Sequence, residues 1–377
     1  MFGKRLKLFN LLGFEVKIDA SWLVIAVLVT WSLASGLFPY LYPGISREAY
    51  WTMGVLGALG LFASIVAHEF CHSLVARKVG IPMKGITLFI FGGVAEMGDE
   101  PPTARAEFLM AIVGPLSSMA IGAVFYLIYR GGQSAGWSTS VNGVIYYIAY
   151  INGILAAFNL LPAFPLDGGR VLRSILWGAR GNLRWATRVS ATIGSAFGLG
   201  LIFLGIYKFV SGDVIGGVWM FLIGMFLRNA AQMSYQQLLV RKALEGEPVR
   251  RFMNPDPVTV QSSSTVEKLV EDYIYKYHHK MFPVMEGEKL VGCITTRQVK
   301  DIPREAWDRE TIREAASPCS DENTISPATD AVKALAMMNQ SGVSRLLVVE
   351  GGRLVGLVTL KDLLDFFSLK VELEERD

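Results

Sequence analysis

The feature that most constrains this chain is its run structure. Up to about Leu227 it consists mostly of long apolar runs, and from Arg241 onward it reads like a soluble protein with charges spread between short apolar strings. Runs of roughly 20 mainly apolar residues are what a helix needs to cross a bilayer. Six candidates stand out, at residues 20–42, 51–76, 108–129, 144–161, 186–209 and 214–227. The last is short, but Arg228 at its end can snorkel and lengthen it. The predicted architecture is a multi-pass helical membrane domain followed by a soluble domain. At 52% hydrophobic and only 18% charged, the 377 residues are too apolar for an ordinary soluble protein.

Basic residues predict the orientation. Lys4, Arg5, Lys7 and Lys17 precede the first run, Arg77, Lys78, Lys84 and Arg105 follow the second, and Arg170, Arg173, Arg180 and Arg184 follow the fourth. Arg228, Arg241 and Lys242 follow the sixth, whereas the opposite loops 43–50 and 131–142 carry few. Both termini are therefore expected in the cytoplasm, with the second and fourth runs ending on the cytoplasmic side. A net charge of +3 is too small to argue for nucleic acid. Three widely spaced cysteines, Cys71, Cys293 and Cys319, give no disulfide framework, and the last two suit a reducing compartment. The basic, amphipathic start lacks the pattern of a cleaved signal.

Ionisable residues at membrane depth are costly and need a reason. Near the end of the second run stands His68-Glu69-Phe70-Cys71-His72. In a helix the two histidines, four apart, share a face and both reach one ion. This H-E-x-x-H spacing is that of zinc metalloproteases, with the glutamate as general base. A catalytic zinc wants a third protein ligand and one open position. The other two histidines, His278 and His279, lie in the soluble part, so the third ligand should be an acid or Cys71. Among the few acids before Arg228, Asp167 in NLLPAFPLDGGR follows the fourth run on the same side as His72. Pro162 and Pro165 break the helix there, while Gly168 and Gly169 allow close backbone approach. Asp167 could instead be only a helix N-cap.

His68–His72 in a membrane helix, followed by Asn159-Leu160-Leu161-Pro162-Ala163-Phe164-Pro165-Leu166-Asp167-Gly168, resembles the site-2 protease family of intramembrane zinc metalloproteases, over most of residues 1–235. The resemblance implies zinc held by His68, His72 and Asp167, catalysis by Glu69, and a role for Asn159 in positioning substrate or stabilising the oxyanion. Gly114-Pro115-Leu116-Ser117-Ser118 matches the family's small-residue motif, where close helix packing is the expected role; family patterns often carry Asn where Ser118 stands, so a direct polar role is not expected of it. The β-rich segment 85–97, GITLFIFGGVAEM, lies between two spans and must be buried or line a wet cavity. In the family such a segment is a hairpin beside the zinc. Its Phe91-Gly92-Gly93-Val94 stretch would hold substrate by strand addition.

The soluble half repeats. Residues 282–302 and 346–366 align without gaps at an offset of 64, with eight of 21 positions identical, and each reads strand, Glu-Gly turn, strand, helix after a preceding helix at 265–278 or 329–340. This resembles a tandem pair of cystathionine-β-synthase (CBS) domains, placed at 248–309 and 310–377 after a linker at 236–247. Such pairs usually form one α/β unit and often bind adenosine nucleotides. Thr359 and Asp362 of the second repeat keep the ribose-contacting pattern, whereas the first has Gln298 in place of the acid. A carboxylate can accept from both ribose hydroxyls, and an amide offers one uncharged oxygen.

Together these residues predict a prokaryotic, multi-pass cell-membrane zinc endopeptidase, its site opening to the cytoplasm. Its partners would be the bilayer and a membrane-spanning, regulatory protein substrate, with an adenosine nucleotide acting at the CBS pair and a homodimer or higher oligomer admitted through that pair. The alternative is a metal or proton transporter using His68, Glu69, His72 and Asp167 as an ion path. Transport would want further polar groups deeper in the spans, which look nearly bare.

Overall fold

The computed structural model describes residues 6–81, 83–89, 92–97 and 100–374. Contacts divide the chain into two compact units at Gln236/Gln237.

The first unit opens with a hairpin that the amphipathic start did not announce. Strands β1 (Leu6–Leu11) and β2 (Phe14–Ile18) pair antiparallel. Leu12 and Gly13 turn between them, both at positive φ (49° and 89°). Asp19 then caps α1 (Ala20–Leu41) through its side chain, which accepts from the Ser21 amide. Helix α2 (Arg47–Lys78) follows, capped by Ser46. Strands β3 (Met83–Phe89) and β4 (Gly92–Met97) form the expected antiparallel hairpin. β2 runs parallel to β3, so one mixed sheet has the order β1-β2-β3-β4 and β4 lies at its edge. Helices α3 (Ala104–Ser134), α4 (Thr139–Asn159), α5 (Asp167–Arg180), α6 (Leu183–Val210) and α7 (Val214–Leu244) complete the order. Six of these, all but α5, are long and apolar enough to cross a membrane. An apolar cluster of Leu33, Phe38, Met53, Val144, Tyr147 and Ile148 ties α1, α2 and α4 together away from the histidines.

The sixth helix does not stop where its hydrophobic run stops. It continues through Arg228 to Leu244, and so includes most of the residues 236–247 expected as a linker. The spans are also less bare than they read. Asn152 of α4, buried, donates to Ser64 Oγ of α2 at 2.8 Å, one turn beyond His68.

In the second unit the repeat is visible strand by strand. Hairpin β6 (Met281–Glu286) and β7 (Lys289–Thr295) recurs as β10 (Arg345–Glu350) and β11 (Arg353–Thr359), each boundary moved by 64 residues. Each hairpin gains a parallel strand, β5 (Val260–Gln261) on β6 and β9 (Thr324–Ile325) on β10. The outer strand is partnered by residues that precede the other repeat: β8 (Ser317–Pro318) pairs with β7, and Asn254 bridges Leu357 of β11. This exchange makes the two repeats one α/β unit. Its cores centre on Phe282, Val284 and Ile294 in one repeat and on Leu346, Val348 and Val358 in the other.

Candidate metal centre

Helix α2 does what the spacing of its histidines requires. His68 and His72 stand one turn apart, both buried, with Nε2 atoms 3.1 Å from each other. Asp167 Oδ2 lies 3.0 Å from His68 Nε2 and 3.2 Å from His72 Nε2. Among the described residues these three form the one group of His, Cys, Asp or Glu whose donors converge in this way. Cys71 is not in it, and Asp167 is not an N-cap: Leu166 holds that position and Asp167 opens the helix.

The donor set fits zinc. Ligands at about 2.0–2.2 Å in a tetrahedron stand roughly 3.3–3.6 Å apart, a little wider than the 3.0–3.2 Å separations found here. The tautomers agree. His72 Nδ1 is 2.5 Å from the Met110 carbonyl, an acceptor only, so Nδ1 carries the proton and Nε2 presents its lone pair. His68 Nδ1 is 2.9 Å from Ser118 Oγ, a hydroxyl that can accept from Nδ1–H, so the same tautomer is open to His68. Two lone pairs and a carboxylate oxygen facing one point call for a cation.

Helix α3 keeps that point open. A Cβ on Gly114 would stand 2.1 Å from His72 Nε2 and 2.6 Å from His68 Nε2, so only glycine leaves room where the donors meet. The motif expected to serve packing alone thus borders the centre itself. Ser118 corrects the expectation more sharply, since its fully buried hydroxyl contacts His68 directly. A serine in an apolar helix carries no sequence signal of such a bond.

The loop before Asp167 is held by the glycines after it. A Cβ on Gly169 would come within 2.3 Å of the Phe164 nitrogen. Strand β4 also lies against α2. A Cβ on Gly93 would be 2.7 Å from Glu69 Cγ, so the edge strand passes directly against the candidate base. Gly92, Gly93 and Val94 belong to β4 and pair with Phe89, Leu88 and Thr87, while Phe91 lies outside the described residues. Asn159 ends α4, half-buried, eight residues before Asp167.

The profile of peptidase family M50 matches residues 56–137 and 128–201, and that of the CBS domain matches 249–304 and 312–369. Rip3 of Mycobacterium tuberculosis, named as a zinc metalloprotease, is 34% identical over 95% of this chain and 92% of its own. The chain belongs to the site-2 protease family. Within the family, zinc metalloprotease MJ0392 of Methanocaldococcus jannaschii is 30% identical over 98% of both chains. The solved site-2 protease from Methanocaldococcus jannaschii superposes with a TM-score of 0.44 at 29% identity, covering 61% of this chain and 94% of that one. This site-2 protease family member is thus a membrane protein of a zinc metalloprotease family with a C-terminal CBS pair.

In the CBS pair, Thr359 and Asp362 come together as a helix cap. Asp362 Oδ2 accepts from the Thr359 amide (2.9 Å) and hydroxyl (2.8 Å). Gln298 does the same for Thr295, and its amide nitrogen also donates to the Ala315 carbonyl and to Ser317 Oγ, both at 2.9 Å. The glutamine of the first repeat is thereby committed to strand β8, and it carries no charge.

Proposed function

We propose that this protein is a zinc-dependent intramembrane endopeptidase that cuts membrane-spanning segments of tethered, regulatory proteins. The observation that carries the reading is the convergence of His68 Nε2, His72 Nε2 and Asp167 Oδ2 beside Gly114, on helices of membrane-spanning length. Residues 1–235 would do the chemistry and the pair 248–309 and 310–377 would regulate it through the 236–247 segment. The basic loops support cytoplasmic termini and a site open to cytoplasmic water.

Zinc, when bound, acidifies water and polarises a carbonyl. His68, His72 and Asp167 would hold it as neutral nitrogen and anionic oxygen donors. Glu69 takes the proton from water and returns it to the leaving amine. Asn159 donates to the oxyanion or aligns the substrate. A helical substrate hides its peptide bonds in its own hydrogen bonds, so it must unwind first. The edge position of β4 supports Gly92, Gly93 and Val94, with Phe91, as the strand to which unwound substrate adds its backbone. Chelation of the full chain in detergent is expected to stop cleavage of a membrane-tethered peptide, and added zinc to restore it. Undiminished cleavage without metal contradicts the reading, and transport would then lead.

The CBS pair is proposed to bind one adenosine nucleotide per chain through Thr359 and Asp362, whose carboxylate accepts from ribose hydroxyls. Asp362→Asn keeps an oxygen for the Thr359 cap but loses the charge. It is expected to weaken ATP or AMP binding by about 10–100-fold, with Gln298→Ala near wild type. Equal titrations for wild type and Asp362→Asn contradict the assignment.

A further inference from the structure

One stripe of α3 touches both histidines of the metal centre. Gly114 leaves the opening, the Met110 carbonyl fixes His72, and Ser118 fixes His68. One turn before Met110 on that stripe stands Glu107, 0% exposed. Its Oε1 accepts from Arg173 Nε at 2.6 Å and also contacts Nη2 of that guanidinium. Arg173, 2% exposed, belongs to α5, the helix that begins with Asp167. Its Nη2 further reaches Glu100 Oε2 at 3.2 Å, and its guanidinium lies 5.1 Å from the ring centre of Phe164, in the loop leading to Asp167.

We propose that the buried Glu107–Arg173 pair is a positioning device that sets Asp167 against the two histidines. The histidines are oriented from α3 by Met110 and Ser118. Asp167 comes from a different helix, and the same α3 stripe grips that helix through Arg173. Nε and Nη2 converge on the one oxygen Oε1 while Nη2 also reaches Glu100, so the planar guanidinium is held from two of its nitrogens, which a lysine ammonium with its single nitrogen would not reproduce. Stability alone is a poor explanation. Removing two charges from water is costly, and Glu107 Oε2 has no hydrogen-bond partner among the described residues. Replacing a buried ion pair by apolar residues of similar volume is often neutral or stabilising.

The inference rests on the zinc reading, so its test carries Asp167→Ala as a control. Zinc affinity of the full chain in detergent is measured by competition with a chelator, together with the visible spectrum of the cobalt-substituted protein and a thermal melt. The double variant Glu107→Leu/Arg173→Met is expected to melt at or above the wild-type temperature. It should bind zinc about 10–100-fold more weakly, as loss of a supporting contact does, and show shifted cobalt bands. Arg173→Lys, keeping the charge but only one nitrogen to share between Glu107 and Glu100, is expected to fall between. Wild-type affinity and an unchanged cobalt spectrum in the folded double variant overturn the proposal; if that variant does not fold, the same result in Arg173→Lys does so. Zinc binding by Asp167→Ala equal to wild type overturns the zinc reading instead.

Discussion

Glu69→Gln is expected to keep its zinc and to cut a membrane-tethered peptide about 100- to 10,000-fold more slowly than wild type, the range that general acid–base catalysis supplies. The substitution preserves shape. The Cγ that packs near Gly93 remains, so the edge strand keeps its contact with α2. An amide cannot take the proton from water or hand one to the leaving amine. Glu69 sits one position from His68 but outside the group of three converging donors, so metal content should not follow activity. Cleavage by Glu69→Gln at the wild-type rate, with zinc bound, would mean that a contaminant cuts or that another group is the base.

The second large effect is on the metal. Asp167→Ala removes one of three donors and is expected to weaken zinc binding at least about 100-fold, beyond what outer contacts usually contribute. Gly114→Ala should do the same with every donor retained. Its methyl carbon would stand 2.1 Å from His72 Nε2, so an imidazole must turn away or α3 must withdraw from α2. Gly153→Ala is the control. Nothing lies within 4 Å of a Cβ there, and alanine is the better helix former, so zinc binding should not change. Zinc retained at wild-type affinity by Gly114→Ala would mean that the donors meet elsewhere.

What could be read from the sequence was what depends on period and composition. The His68–His72 spacing, the apolar runs, and the repeat at 64 residues are local patterns, and each maps onto an element with nearly the expected bounds. Asp167 stood out among the few acids before Arg228, but the residues alone left Cys71 and an N-cap role open, and only the resemblance to the family implied it as third ligand. What the sequence withheld depends on partners far along the chain. Ser118 meets His68 across 50 residues and Arg173 meets Glu107 across 66. The N-terminal hairpin was hidden differently. It turns on Leu12-Gly13 rather than the Asn-Gly or Asp-Gly that marks tight hairpins, and its strands are completed by β3, some 70 residues on. The end of α7 was misplaced because hydropathy records where lipid ends, not where backbone hydrogen bonding ends.

The most direct test of the central claim is the zinc content of the purified full chain, wild type beside Asp167→Ala, after dialysis against metal-free buffer. If His68, His72 and Asp167 hold the ion, wild type retains about one zinc per chain and Asp167→Ala retains almost none. Equal zinc in both would contradict the centre described here.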